Sequence, residues 1–216
     1  MAIEQIQRLL AVAPCGCHLE HPWQVVLAGR PNVGKSSLMN ALVGFGRAIV
    51  HETPGTTRDL VTARTALDGW PVEFCDTAGL RDASHTLERQ GIGLAQHQLE
   101  SASLALLVFD ATEPWSEADN ELARLWPNAL LVFNKIDLPG VSLDGRPDGQ
   151  SVSAINGQGI DRLIATIAHR LVPNPPAPRQ AVPFLNEHAN ALLAAADALE
   201  LGEPALAARH LAALLS

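Results

Sequence analysis

The run Gly29-Arg30-Pro31-Asn32-Val33-Gly34-Lys35-Ser36 constrains this 216-residue chain more than any other stretch. It obeys the spacing G-x-x-x-x-G-K-[ST]. An apolar run, Val25-Val26-Leu27-Ala28, precedes it, and a helix-like segment, Ser37 to Val43, follows. A strand feeding such a loop and then a helix turns successive amides, those of Asn32, Val33, Gly34, Lys35, Ser36 and Ser37, toward phosphate oxygens. Gly29 and Gly34 permit close backbone approach. Lys35 reaches the outer phosphates, and Ser36 offers a hydroxyl to Mg²⁺. The stretch predicts a phosphate loop for a nucleoside triphosphate.

Around that loop, strand and helix patterns alternate. Strands are expected at Trp23–Ala28, at residues 60–67 and 72–75, at Leu104–Asp110, at residues 129–134 and at 151–153. Asp68-Gly69 is a hairpin turn between the second and third. Helices are expected after the phosphate loop, at Leu87–Leu99, at Glu117–Leu125 and at Ile160–Leu171. Leu104–Asp110 and 129–134 are apolar runs of the kind covered on both faces. This order predicts an α/β fold of the P-loop NTPase kind, a doubly wound, mainly parallel six-stranded sheet with short helical flanks at both termini.

The chain divides into an N-terminal helix and linker (1–22), a nucleotide-binding domain (23–172), a proline-rich linker (173–183) and a C-terminal helical hairpin (184–216). Ile3, Ile6, Leu9, Leu10 and Ala13 fall at helical spacing, and Pro14 is expected to stop that helix. Cys15-Gly16-Cys17-His18 and His21 could in principle ligate a metal. Structural zinc sites usually draw on two separated pairs, so a linker with incidental thiols is the better reading. In the hairpin, Leu185, Ala189, Leu192, Leu193, Ala196 and Leu199 form one stripe and Leu206, His210, Leu211 and Leu214 a second, broken at Gly202.

Bulk properties narrow the function. A net charge of −8 argues against broad nucleic-acid binding. No apolar run is long enough to span a membrane, the N-terminus lacks a secretory pattern, and three cysteines do not form a disulfide framework. A cytoplasmic setting is expected.

Three further motifs extend the nucleotide site. Asp76-Thr77-Ala78-Gly79 closes a strand as a Walker B-type acid followed by a hinge glycine. Asn134-Lys135-Ile136-Asp137 lies at a strand end, where α/β sheets bind ligands. Asp137 there accepts from the guanine ring N–H and exocyclic amine, a donor pair adenine lacks. Asn134 supports loop and base, and the Lys135 stem covers the ring. Ser153-Ala154-Ile155 offers a backbone N–H to the guanine carbonyl. His85 and His97 read as surface or packing residues.

With these motifs in order, the chain resembles a translation-factor-class small GTPase. Within that class it is similar to the G domain of the MnmE (TrmE) family of tRNA-modification GTPases. The similarity is carried by G-R-P-N-V-G-K-S-S at 29–37, P-G-T-T-R-D at 54–59, D-T-A-G-L-R-D at 76–82 and Leu87-Glu88-Arg89-Gln90-Gly91-Ile92. It implies GTP hydrolysis to GDP and phosphate. Ser36 and Thr57 would hold Mg²⁺, with Asp76 acting through water. Asn32 would bind K⁺ with carbonyls near His51 and Thr53 and with Thr56, and Glu88 would orient the attacking water. Lys35, Asn32 and Glu88 are then the catalytic set. The resemblance also implies nucleotide-dependent dimerisation across switch I (roughly 47–59) and switch II (roughly 77–92), and a tRNA-modification partner. The family's folate-binding domain and C-terminal cysteine tail find no match here. Two rivals stay open: a ribosome-assembly GTPase resembling Era or Der, and a nucleotide-binding module with little turnover.

Overall fold

The structure is a computed structural model that describes residues 2–45, 61–76, 102–212 and 214. The switch segments, the helix expected over Leu87–Leu99 and the histidines at 85 and 97 lie outside the described residues. Two compact units emerge, Trp23–Leu171 and a second built from Met1–Pro22 with Val172–Ser216.

In the first unit, the described residues form a six-stranded sheet of order β2-β3-β1-β4-β5-β6. The strands are β1 (Trp23–Ala28), β2 (Val61–Leu67), β3 (Trp70–Asp76), β4 (Leu104–Asp110), β5 (Leu130–Asn134) and β6 (Gln150–Ser151). Only the β2–β3 pair is antiparallel. Its turn is short because Asp68 (φ 50°) and Gly69 (φ 86°) are both left-handed, which matches the twist of the flanking strands. β1 sits between β3 and β4, so the chain runs to opposite sides of β1 and leaves a crevice at its C-terminal end. In register, Leu27 lies opposite Asp76, and Asp110 opposite Asn134. The parallel strands β1, β3, β4 and β5 therefore deliver their C-terminal ends to one side.

Both faces of the sheet are covered, which is why its central strands carry continuous apolar runs. α2 (Lys35–Phe45) packs against the helix Ile160–Leu171, termed α4, with Leu38, Leu42, Leu163 and Ile167 fully buried. Leu107 and Phe109 alternate with Leu106 and Val108 and so point the other way. They join Ala28 and Phe133 beneath Leu122 and Trp126 of α3 (Glu117–Leu125) and its C-terminal end. α3 opens with a reciprocal cap between Ser116 and Asp119. The last strand is displaced from its expected position: β6 is Gln150–Ser151, because Ser153 already turns the chain by exchanging backbone hydrogen bonds with Gly157 and Gln158.

The second unit corrects the N-terminal reading. Pro14 does not end the first helix; α1 runs Ala2–Glu20 with Pro14 inside it, and the Cys15–His18 stretch is helical rather than a linker. An internal proline removes one backbone hydrogen bond. Here burial of Ile6, Val12, Ala13, Cys15 and Gly16 offsets that loss. α1 packs against α5 (Asn186–Glu200), and α5 against α6 (Pro204–Ala212), so Ile6 shares one core with Leu192, Ala195, Ala196, Ala198 and Ala207. The terminal helices are thus each other's cover, in one chain. Gly202 (φ 77°) makes the turn between α5 and α6. Among the described residues no metal-binding cluster forms, and no helix is long and apolar enough to cross a membrane.

Candidate nucleotide site

The phosphate loop leaves β1 at Gly29 and enters α2 at Lys35. Gly29 (φ 149°) has no room for a side chain, since a Cβ would fall 2.2 Å from the Val108 carbonyl oxygen. Gly34 (φ 93°) is equally closed, its Cβ position being 2.4 Å from Asn134 Nδ2. Asn32 takes the left-handed conformation at φ 64°. These backbone states curl the loop around the buried Lys35, whose Nζ donates to the carbonyls of Gly29 (3.1 Å) and Arg30 (2.8 Å). The ammonium is held by carbonyls at the start of the loop.

Ser36 meets Asp76 at the next layer. The Ser36 Oγ donates to Asp76 Oδ2 at 2.6 Å, joining the first turn of α2 to the end of β3 across 40 residues of sequence. An alcohol and a buried carboxylate this close form a hard-oxygen pair suited to a small divalent cation beside the loop.

Asn134 binds the base-side loops to the phosphate loop. It is 2% exposed; its Nδ2 donates to the Val33 carbonyl (3.0 Å) and its Oδ1 accepts from the Ala154 N–H (3.1 Å). Beside it, Lys135 (φ 69°) extends its Nζ to the Asn32 carbonyl (2.8 Å) and to Asp110 Oδ2 (2.5 Å). Burial pushes the Asp110 carboxyl up, but hydrogen bonds from Lys135 and Thr112 outweigh it and hold the group below its ordinary value. Ser153 is fully buried and its Oγ accepts from the Asn156 N–H at 3.2 Å, which shapes the Ser153–Ile155 turn. Asp137 is exposed, without a hydrogen bond among the described residues, and Ile155 is exposed beyond it.

The structure thus gathers Asn32, Val33, Gly34, Lys35, Ser36, Asp76, Asn134, Lys135, Ser153 and Ala154 along the sheet edge; Ser37 follows on the exposed side of α2. His51, Thr53, Thr56, Thr57, Thr77, Ala78, Gly79 and Glu88 lie outside the described residues. Residues that motif reading passed over also belong here. Asp110 holds Lys135. Arg146 stacks over Phe133 and donates to the carbonyls of Ala111 (3.0 Å) and Glu113 (2.5 Å), fixing the segment after β4. Arg30 reaches Ser116 and Asp119 at the start of α3. The S-x-x-D spacing at 116–119 was a usable signal for the cap, though not for its bond to Arg30.

Comparison with known proteins agrees with this geometry. A family profile described as 50S ribosome-binding GTPase matches residues 24–135. The tRNA modification GTPase MnmE of Bordetella parapertussis is 41% identical over 201 residues, which are 91% of this chain and 44% of that protein. MnmE of Chloroflexus aurantiacus is 43% identical over 179 residues, 79% of this chain and 40% of its own length. The chain therefore spans less than half the length of these relatives. The crystal structure of the G domain of the T. maritima FeoB iron transporter aligns with a TM-score of 0.50 at 26% identity, covering 69% of this chain and 99% of that one. With the Gly29–Ser36 loop, Asp76 and the Asn134–Asp137 loop at one end of the sheet, and that profile across half its length, this chain belongs to the 50S ribosome-binding GTPase family and carries a GTP-hydrolysing G domain resembling that of MnmE.

Proposed function

We propose that this chain hydrolyses GTP by direct attack of water, using Ser36, Thr57 and, through water, Asp76 to hold Mg²⁺, and Asn32 with Thr56 and carbonyls near His51 and Thr53 to hold K⁺. The observation that carries the reading is the Ser36–Asp76 contact of 2.6 Å at the mouth of the phosphate loop, which supplies hard oxygen donors where the outer phosphates arrive. The two cations, when bound, offset charge that builds on the transferring phosphoryl group. Lys35 and the amides of Asn32 to Ser37 bind the phosphates. Asp137 selects guanine, Asn134 keeps the base loop against the phosphate loop, and Glu88 orients the attacking water. Two copies meet across the switch segments when GTP is bound. By similarity to MnmE, a tRNA-modification partner supplies the remaining chemistry, and the setting is the cytoplasm.

The test is GTP hydrolysis at rising protein concentration in KCl and in NaCl of equal ionic strength. Faster, concentration-dependent turnover in K⁺ is the expected result. Equal rates in both salts would remove the K⁺ site, and no turnover in either would leave a nucleotide-binding module. A second reading, action on the large ribosomal subunit, is supported by the description of the family profile. Co-sedimentation with 50S subunits in the GTP-bound state, absent with GDP, would favour it.

A further inference from the structure

Arg30 is an x residue of the phosphate-loop pattern, and neither the pattern nor the hydrolysis proposed above assigns it a task. Its two ends do different things. Its carbonyl accepts from Lys35 Nζ at 2.8 Å inside the loop. Its guanidinium leaves the loop on the other side, where Nη2 donates to Ser116 Oγ at 2.9 Å and lies 3.0 Å from Asp119 Oδ1. The Asp119 side chain is 8% exposed and that of Arg30 43%.

The two oxygens of Asp119 divide the work. Oδ2 accepts from the Ser116 N–H (2.9 Å) and Oγ (2.6 Å) and so caps α3, while Oδ1 faces Arg30. The first turn of α3 is thereby a fixed anchor, and its Leu122 is seated in the apolar layer with Phe109 and Phe133. The loop start is pinned at a second place, where Gly29 leaves no space against the Val108 carbonyl of β4. A loop fastened at both points has already lost conformational freedom that a phosphate ligand would otherwise remove on binding.

We propose that Arg30, anchored by Asp119 and Ser116, is a positioning residue that presets the phosphate loop for guanine nucleotide binding and couples its shape to helix α3. The inference rests on reading residues 29–36 as the nucleotide loop. It predicts that Arg30 acts on nucleotide retention through the start of α3, where Asp119 and Ser116 together hold its guanidinium.

The experiment is a double-mutant cycle on the 216-residue chain, with Kd and release rate for a fluorescent GDP analogue, and thermal unfolding of each variant. Arg30→Ala is expected to raise Kd about 3–10-fold, mostly through faster release, as for a charged hydrogen bond from a partly exposed guanidinium. Arg30→Lys, which keeps the charge but not the planar fork, should fall between. At saturating GTP the change in kcat should be smaller than the change in KM. Asp119→Asn should weaken binding in the wild-type background and add nothing once Arg30 is alanine. Unchanged Kd in Arg30→Ala would overturn the proposal, as would multiplying effects of the two substitutions, since Asp119 would then serve α3 alone. A Kd rise accompanied by loss of the cooperative thermal transition would overturn it too. If the unaltered chain fails to bind the analogue, the nucleotide-loop reading itself falls, an outcome distinct from every other.

Discussion

Asn134→Ala removes a buried side chain that joins the phosphate loop to the Ser153–Ala154 turn. The asparagine is 2% exposed and makes two hydrogen bonds of ordinary length, donating to Val33 O and accepting from Ala154 N–H. Its loss forfeits both bonds and strands the carbonyl of buried Val33 and the N–H of half-buried Ala154, at about 1–3 kcal/mol for each group left without a partner. Partial relaxation toward solvent should reduce the sum, so a total of roughly 2–4 kcal/mol is expected. For a domain of this size each kcal/mol lowers Tm by about 2–4 °C, which predicts a fall of roughly 5–15 °C. Scanning calorimetry with and without GDP is the assay, reading the transition that GDP raises. GDP affinity should drop alongside stability, because Val33 and Ala154 lie on loops meant for phosphate and base. A Tm within 2 °C of the parent together with unchanged GDP affinity would refute the reasoning, and Asn134 would then be a passive filler.

Three further outcomes follow from the geometry. Gly16→Ala would ordinarily stabilise a helix by about 1 kcal/mol, but the new Cβ of α1 would sit 2.0 Å from the Pro183 carbonyl oxygen, so the sign should reverse and urea denaturation or protease susceptibility should report a loosened helical unit. Hydrogen bonds from Lys135 and Thr112 outweigh burial and hold the Asp110 carboxyl below its ordinary value; its contribution is present in full above the unfolded value and is lost as pH falls through the folded one. Asp110→Asn should therefore cost about 1–2 kcal/mol at pH 7, and the gap to wild type should close on acidification below pH 4; a gap constant with pH would contradict this. Burial, and then the nearby Glu73, push the Cys75 thiol up to about 11, so at pH 8 iodoacetamide should label the partly exposed Cys17 and spare Cys75 until the domain unfolds, with peptide mass mapping as the readout.

Much of this molecule is written locally. The glycines of the phosphate loop, the Asp68-Gly69 turn, the apolar runs of β4 and β5 and the strand-end position of Asn134 all report on themselves or near neighbours, so period and turn chemistry sufficed to read them. The order of motifs along the chain also brought residues 29–36, Asp76 and Asn134 to one end of the sheet, because strand ends in a parallel sheet converge there. Roles that depend on a distant partner were not legible. Asn134 meets Val33 across 101 residues of sequence and Arg30 meets Ser116 across 86, while Asp110, beside its local partner Thr112, also meets Lys135 just beyond the neighbouring strand. Pro14 shows the same division from the other side. Its local preference favours ending a helix, yet α1 continues to Glu20 because its apolar residues, with Gly16 close against Pro183, are buried by the C-terminal hairpin. The sequence by itself determined the glycine loop at 29–36, the strand-end position of Asn134 and the alternation of strands and helices, since these are properties of short stretches. Tertiary structure decided which side chains lock those stretches together, because burial and long-range hydrogen bonds exist only once the sheet has formed.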